Sequence, residues 1–418
     1  MNSAIVYIVG AGLSGLSAAV ELAAAGVHTE VIEAAGFAGG RCRSYHDAAV
    51  GQTIDNGNHL ILSGNNAVHD YLRRIGTQQK FLGPTHAEFA FVDVSTGERW
   101  TLRPNEGPLP WWTLSSKRRV PGTRAIDYLT IAGMIWRGRR GTPLARPNVG
   151  DVLWKKLVHP VLLAALNTEP EDASAELVAT ILLETFGKGG RAYRPRIASP
   201  TLAAAFIDPA VAFVTERSGV FRFGERLRSL VFNASDVKEL ELVDTKLPVA
   251  DRSNVILAVP PWAAQSLVPN LAAPDAFHAI VSGHFRIVPP EGTPPITGVI
   301  GGTSQWIFSF PDRISITISN ADRLVDSDRE EIAAACWQDV QKVCGISADL
   351  PPWQIVKERR ATFAATPEQQ MKRPAAVTQW ANLFLAGDWT DNGLPATIEG
   401  AVRSGQRAAK LALARLAA

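Results

Sequence analysis

The stretch Ala4–Glu33, AIVYIVGAGLSGLSAAVELAAAGVHTEVIE, reads as strand, tight turn, helix, strand. Ile5, Val6, Ile8 and Val9 form the short apolar run that a doubly buried parallel strand needs. Gly10, Gly12 and Gly15 then supply GxGxxG. In that spacing the first glycine allows the turn, the second admits a pyrophosphate to the backbone, and the third lets helix and sheet pack closely. The spacing predicts a helix opening at Leu13 and Ser14, with Leu16, Val20 and Ala23 on one face and Gly26 as its C-cap. The next strand, Val27 to Ile32, delivers Glu33, whose carboxylate can take both hydroxyls of an adenosine ribose. A glycine turn alone can be purely structural. The strand before it, the helix after it and the acid in place point to a dinucleotide.

A chain of 418 residues can hold two domains, and 46% hydrophobic with 20% charged residues describes a globular protein. A net charge of +2 provides no global field for nucleic acid. Cys42, Cys336 and Cys344 form no CxxC, and no histidines cluster, so the reading is a reducing compartment, no disulfide framework and no metal. The apolar N-terminus lacks the basic flank of a signal peptide, and no run reaches the roughly 18 to 20 unbroken apolar residues of a membrane span. The expectation is a cytoplasmic protein in peripheral contact with the inner face of a membrane.

After Glu33, residues Ala34 to Arg43 form a second glycine-rich loop, with Gly39, Gly40 and Arg41 at its end. Backbone amides there suit the phosphate and ribityl oxygens of a longer cofactor, while a plain surface loop is the alternative. Arg41 is placed to steady a pyrophosphate or to approach a flavin ring. Cys42 reads as a packing residue, since no base neighbours it in sequence. Thr53 to His59 reads as a strand ending in the polar turn Asp55-Asn56-Gly57-Asn58-His59, where His59 is either a hydrogen-bonded brace or a catalyst. An amphipathic helix is expected over Asn66 to Ile75. A hairpin should pair Phe89 and Phe91 with Trp100 and Leu102.

Residues 108–146 are unusual in composition. Trp111 and Trp112 precede Lys117-Arg118-Arg119 and Arg124, and the apolar run Ile126 to Trp136 precedes Arg137, Arg139, Arg140 and Arg146. From Lys117 to Arg146 there are eight basic residues and one acid, Asp127, a local charge of +7. The rest of the chain is −5, with 34 basic and 39 acidic residues. Basic flanks around an apolar run with tryptophans suit an element lying in a membrane interface with anionic head groups. A buried helix with solvated arginine ends is the alternative. The aromatics lie in apolar clusters, which argues against a nucleic acid.

Helices rich in Leu, Val and Ala are expected from Val149 to Phe186, with Thr168 to Glu171 as a capping box. Gly219 to Val231 starts a return, followed by a strand with Val237, Leu240 and Leu242. Asn254 to Val259 reads as another buried parallel strand, closed by Pro260 and Pro261. The alternation of Ile314, Ile316 and Ile318 with Ser315, Thr317 and Ser319 predicts a sheet with one wet face, and a helix should follow from about Asp328. Near the end, LFLAGDW places Gly387-Asp388 at a strand terminus, and a helix begins near Ala396, Thr397 and Ile398. Asp388 can hydrogen-bond a ribityl hydroxyl, and the helix N-terminus can stabilise negative charge on the pyrimidine of a reduced flavin. Gly400, Ala401, Ser404, Gly405 and Ala408 are small, so something packs closely there. With GxGxxG at the other end, these residues point to FAD.

The expected architecture is α/β. A Rossmann-like FAD-binding domain would comprise residues 1–65, 215–275 and 355–418, with a mixed α+β substrate domain (66–214 and 276–354) inserted twice. VGAGLSGL, Glu33, GGR, LFLAGDW and ATIEGAVRSG together resemble the flavoprotein superfamily of monoamine oxidases and phytoene desaturases, across essentially the whole chain. DNGNHLILSG, LLAALNT and GDWTDNGLPATIEGAVRSG narrow the resemblance to the squalene-associated hydroxysqualene dehydroxylases of hopanoid biosynthesis. The resemblance implies a glutathione-reductase-like FAD domain and reductive removal of the hydroxyl of hydroxysqualene to give squalene, with hydride from reduced FAD. It adds Val237 to the cofactor-binding set and places His59 on the flavin side. Asn58 departs from it, since glutamine is expected there. No cysteine or histidine lies between Gly387 and Ala401, so FAD should be non-covalent. A proton donor is also required, with His59 as first choice and Asp391 as second. A carotenoid-type desaturase, an amine oxidase and a prenyl-lipid carrier of the GDI type are the alternatives. Nothing in the chain names the electron donor.

Overall fold

The computed structural model describes residues 4–139 and 150–418. Its first layer is a five-stranded, all-parallel sheet. The strands are β1 (Ile5–Val9), β2 (His28–Glu33), β3 (Val220–Phe223), β4 (Asn254–Leu257) and β5 (Leu383–Leu385), in the order β3-β2-β1-β4-β5. Period-two alternation buries both faces. Val6 and Ile8 face helix α1 (Leu13–Ala24) and the C-terminal helix (Ile398–Ala417), while Tyr7 and Val9 face the antiparallel strands Leu227–Phe232 and Val237–Leu242. Gly26 follows α1 with φ +74°, and the N–H of Val27 donates to Leu22 O (3.0 Å), closing the helix as expected.

The chain leaves this sheet twice, and the two excursions build one seven-stranded sheet. Its order is Trp353–Phe363, Phe277–Phe285, Ile314–Ile318, Trp306–Ser309, Ile296–Ile300, Phe89–Asp93, Arg99–Leu102. The first excursion supplies the hairpin Phe89–Asp93/Arg99–Leu102, in which Phe91 stacks on Trp100 as paired neighbours. The hairpin joins the second excursion through parallel pairing with Ile296–Ile300. Strand Trp353–Phe363 straddles residue 354, where the sequence reading places a domain boundary.

Two local expectations need correction. The strand Ile314–Ile318 has no wet face: Ile314, Ile316 and Ile318 pack under the helix Arg329–Cys344, and Ser315 and Thr317 are buried as well. The turn 55–59 lies on that second face, and Asn58 donates to Thr317 Oγ1. Thr168–Glu171 caps no helix; the helix there is Ala175–Thr185, preceded by Ser174. Thr168 is used otherwise, its hydroxyl accepting the N–H of Ala365.

The segment Trp111–Gly138 is part helix, part 3-10 turn, and two-sided. Trp112 packs edge-to-face on Tyr128, and Ile131 and Met134 are buried. Trp112 is therefore core, contrary to the expectation that both tryptophans reach a membrane. The outer side presents Leu109, Trp111, Leu114, Ile126, Leu129 and Trp136, each more than half exposed. Arg140 and Arg146 lie outside the described residues. Among the described residues, no helix is long and apolar enough to cross a membrane.

Candidate functional site

The three glycines of the first turn differ in what a side chain would meet. A Cβ on Gly10 (φ +104°) would stand 2.5 Å from Ala258 O, and one on Gly15 would stand 1.9 Å from Gly10 O. One on Gly12 would meet nothing within 4 Å. The first and third glycines serve packing, whereas the second leaves open space above the start of α1. Gly12 is the N-cap and offers no side-chain acceptor, so the first turn of α1 opens on this space with the positive end of its dipole, which favours an anion. This cradle fits a pyrophosphate.

Glu33 ends β2 beside it. Its Oε2 accepts the N–H of Ala11 (2.8 Å) and its Oε1 accepts the N–H of Ala35 (2.8 Å). These bonds fix the carboxylate, and a carboxylate keeps further lone pairs for two ribose hydroxyls. The second glycine loop is tied to the first, because Gly39 (φ +117°) donates its N–H to Ala11 O at 2.9 Å. Ala34 and Gly40 are exposed between them.

The end of the chain closes the site. Gly387 donates its N–H to Ser404 Oγ (2.9 Å), and Thr397 caps the C-terminal helix by accepting the N–H of Gly400. Ser14 donates its hydroxyl to Ala401 O, so its side chain serves helix packing and only its backbone faces the cradle. Arg41 donates to both oxygens of Asp388 (2.8 and 2.7 Å) and to Ala361 O. The guanidinium thus spans from the second glycine loop to the Gly-Asp turn, and Ala396 and Ile398 flank Thr397 at the start of the C-terminal helix. Val237 is fully buried, and its N–H and C=O are both engaged by the side-chain amide of Asn382.

The turn 55–59 comes in from the sheet side. Asp55 accepts from Ser44 Oγ (2.6 Å) and from the N–H of Leu202 (2.9 Å), and burial raises its pKa. Asn58 donates to Ile316 O (3.0 Å) and Thr317 Oγ1 (3.1 Å), pinning the turn to the seven-stranded sheet; the shorter amide reaches that far. His59 lies next to Arg41. Burial, with the charge of Arg41 adding, pushes its imidazole down to about 4. This lies below the ordinary imidazole value on which the choice of His59 as proton donor rests. Asp391 is exposed on the loop after Gly387. Cys42 is buried and its thiol is pushed up to about 12, as a packing residue should be.

Sequence reading missed Glu358, which accepts from Asn56 Nδ2 (3.2 Å), and the wall beside Arg41 and Asp388 formed by Trp262, Phe277 and Arg360. The Arg360 guanidinium lies 4.8 Å from the Trp262 ring. Neither group carries a motif; both lie on elements that only the tertiary fold brings to the cradle. Away from the cradle, His159, Glu169 and Glu171 bring potential ligand atoms within 4.8 Å of one another, with His159 hydrogen-bonded to Glu169.

A parallel sheet with a glycine cradle closed by both chain ends defines a flavin-dependent oxidoreductase. The chain belongs to the family described as flavin containing amine oxidoreductase, whose model matches residues 13–413, and within it to the hydroxysqualene dehydroxylases. It is 52% identical over 408 residues to hydroxysqualene dehydroxylase of Sinorhizobium fredii, covering 98% of each chain. It is 50% identical over 410 residues to that of Rhodopseudomonas palustris, again covering 98% of each. Among solved structures, cyclohexylamine oxidase from Brevibacterium oxydans IH-35A shares the fold, with a TM-score of 0.73 at 17% identity over 99% of each chain.

Proposed function

We propose that this protein reductively removes the allylic hydroxyl of hydroxysqualene to give squalene, using FAD held without a covalent bond. The observation that carries the reading is the cradle built from both chain ends, in a chain half identical throughout to proteins named for that activity. Residues Gly387 to Ala401 include no cysteine or histidine to tether a flavin, and the Cys42 thiol is held protonated by burial. FAD, when bound and reduced, supplies hydride. The chain supplies the rest: Gly12 and α1 for the pyrophosphate, Glu33 for the ribose, Asp388 and Arg41 for the linker between nucleotide and ring, and a proton for the departing hydroxyl. Hydroxide is a poor leaving group, so the proton must arrive as the C–O bond breaks.

The substrate is too apolar to exist free in water, which supports a membrane-facing entrance. The exposed side of Trp111–Gly138, with Lys117, Arg118, Arg119 and Arg137 around it, suits peripheral association with an anionic inner leaflet. An external reductant regenerates the reduced flavin. The deciding experiment is anaerobic incubation of the reduced holoenzyme with hydroxysqualene, followed by product analysis. Squalene with stoichiometric flavin reoxidation is expected, and unchanged substrate would refute the reading.

A further inference from the structure

Beneath the turn 55–59 the seven-stranded sheet carries a buried polar patch that the packing does not satisfy. Ser282 pairs in register with Thr317, and His284 with Ser315, so four polar side chains share one face. Ser282, His284 and Ser315 are at most 1% exposed. Only part of their hydrogen-bonding capacity is used: His284 Nδ1 meets Ser315 Oγ at 2.8 Å, and Asn58 Nδ2 meets Thr317 Oγ1. Ser282 Oγ, His284 Nε2, Asn58 Oδ1 and Asn56 Oδ1 are buried without a hydrogen-bond partner. The Asp55 carbonyl lies near His284 but makes no well-aligned bond to Nε2.

Orphaned buried groups are destabilising, so four around one turn call for a ligand that donates and accepts at will. Water is that ligand, needing two to four polar partners per molecule. Gly57 leaves the space, since even a Cβ there would stand 3.5 Å from Ser282 Oγ.

The patch has an outer end and an inner end. His284 pairs in register with Gln354, whose amide donates to Asp47 Oδ2 at 2.8 Å. Gln354 also lines an open surface groove with Ala49, Leu350 and Trp353. At the inner end, Asn56 and Asn58 flank Gly57 and lead to His59, beside Arg41. We propose that a short chain of buried waters on Ser282, His284, Asn58 and Asn56 conducts a proton from the groove at Gln354 and Asp47 to the turn at His59. This rests on the functional reading above. Each turnover then takes one proton from solvent and one hydride from reduced flavin, breaks C–O, forms C–H and releases one water.

Two measurements test it. A high-resolution crystal structure of the wild-type holoenzyme should show ordered water within hydrogen-bond distance of Ser282 Oγ, His284 Nε2 and Asn58 Oδ1. A dry patch there would overturn the proposal, whatever the substrate proves to be. Ser282→Val, which fills the space with methyl groups, should retain the flavin spectrum yet slow single-turnover flavin reoxidation by roughly 10-fold or more. Proton uptake, followed with an indicator dye, should slow with it, and the solvent deuterium isotope effect should rise. A Ser282→Val holoenzyme with wild-type rate and isotope effect would equally refute it. Failure of the wild type to convert hydroxysqualene would instead refute the functional reading, with the water positions still read from the crystal.

Discussion

Gly405 sits so close to Ser14 that a methyl group on Gly405 would stand 2.1 Å from the Ser14 carbonyl oxygen. This contact joins α1 to the C-terminal helix, alongside bonds from Ser14 Oγ to Ala401 O and from Ser17 Oγ to Val402 O. The obstacle is backbone and cannot turn aside as a side chain would. Gly405→Ala should therefore cost at least the 1–3 kcal/mol or so typical of overpacking. Denaturant midpoint and flavin content should fall together. A wild-type midpoint would mean that the helices separate freely.

Glu33→Ala removes the acceptor of the Ala11 and Ala35 N–H groups, to which the proposed function also assigns the cofactor ribose. Charge-assisted hydrogen bonds contribute roughly 1.5–3 kcal/mol each, so flavin affinity should drop by about 10- to 100-fold or more. Titration of the apoprotein with FAD, followed by flavin fluorescence, measures this. Unaltered affinity would place the ribose elsewhere.

Acid should destabilise the protein through two histidines. Burial lowers His59 to about 4, with Arg41 adding, and lowers His284 to about 3, with Arg313 adding and Asp47 opposing. The unfolded chain takes up these protons at the ordinary value near 6.5, so it binds more protons than the fold below that pH. Stability is then full above about pH 6.5 and is lost as pH falls toward 4 and 3. For fully buried His284 the loss is on the order of a few kcal/mol at the bottom of that window. Urea unfolding at several pH values should show the decline in wild type and a shallower one in His284→Asn. Equal slopes would remove His284 from the account.

Liposome sedimentation probes the outer side of Trp111–Gly138. Binding should rise with anionic lipid and fall with salt. A Trp111→Ser, Leu114→Ser, Leu129→Ser triple variant should lose most of it while keeping flavin, because these side chains are exposed. Trp112→Ser should instead destabilise the fold, since Trp112 packs on Tyr128. Binding that persists in the triple variant would move the contact to another surface.

The nucleotide cradle was legible in the chain because its physics is local. Gly10 through Glu33 write strand, turn, helix and acid in consecutive residues, and LFLAGDW writes the closing strand. The chemistry end was less legible. Whether His59 is acid or neutral depends on burial and on Arg41, and whether Asp391 is buried depends on how its loop lies. Ser315 and Thr317 looked solvent-facing because alternation reports two unlike faces without saying what covers the second. Glu358 and Arg360 reach the site through the pairing of Trp353–Phe363 with Phe277–Phe285, and Trp262 through the helix Pro261–Leu267, placements that no local pattern records.

The cradle's components lie at opposite ends of the chain: Gly12 and Glu33 within the first tenth, Asp388 and Ser404 within the last. A ribosome would finish the glycine loops long before the helix that braces them. Until that later segment is made, Ser14 lacks its contact with Gly405 and Arg41 lacks Asp388 as a partner. Flavin capture should therefore need the segment from Gly387 onward, and colour in a preparation reports that this segment has been made and has docked.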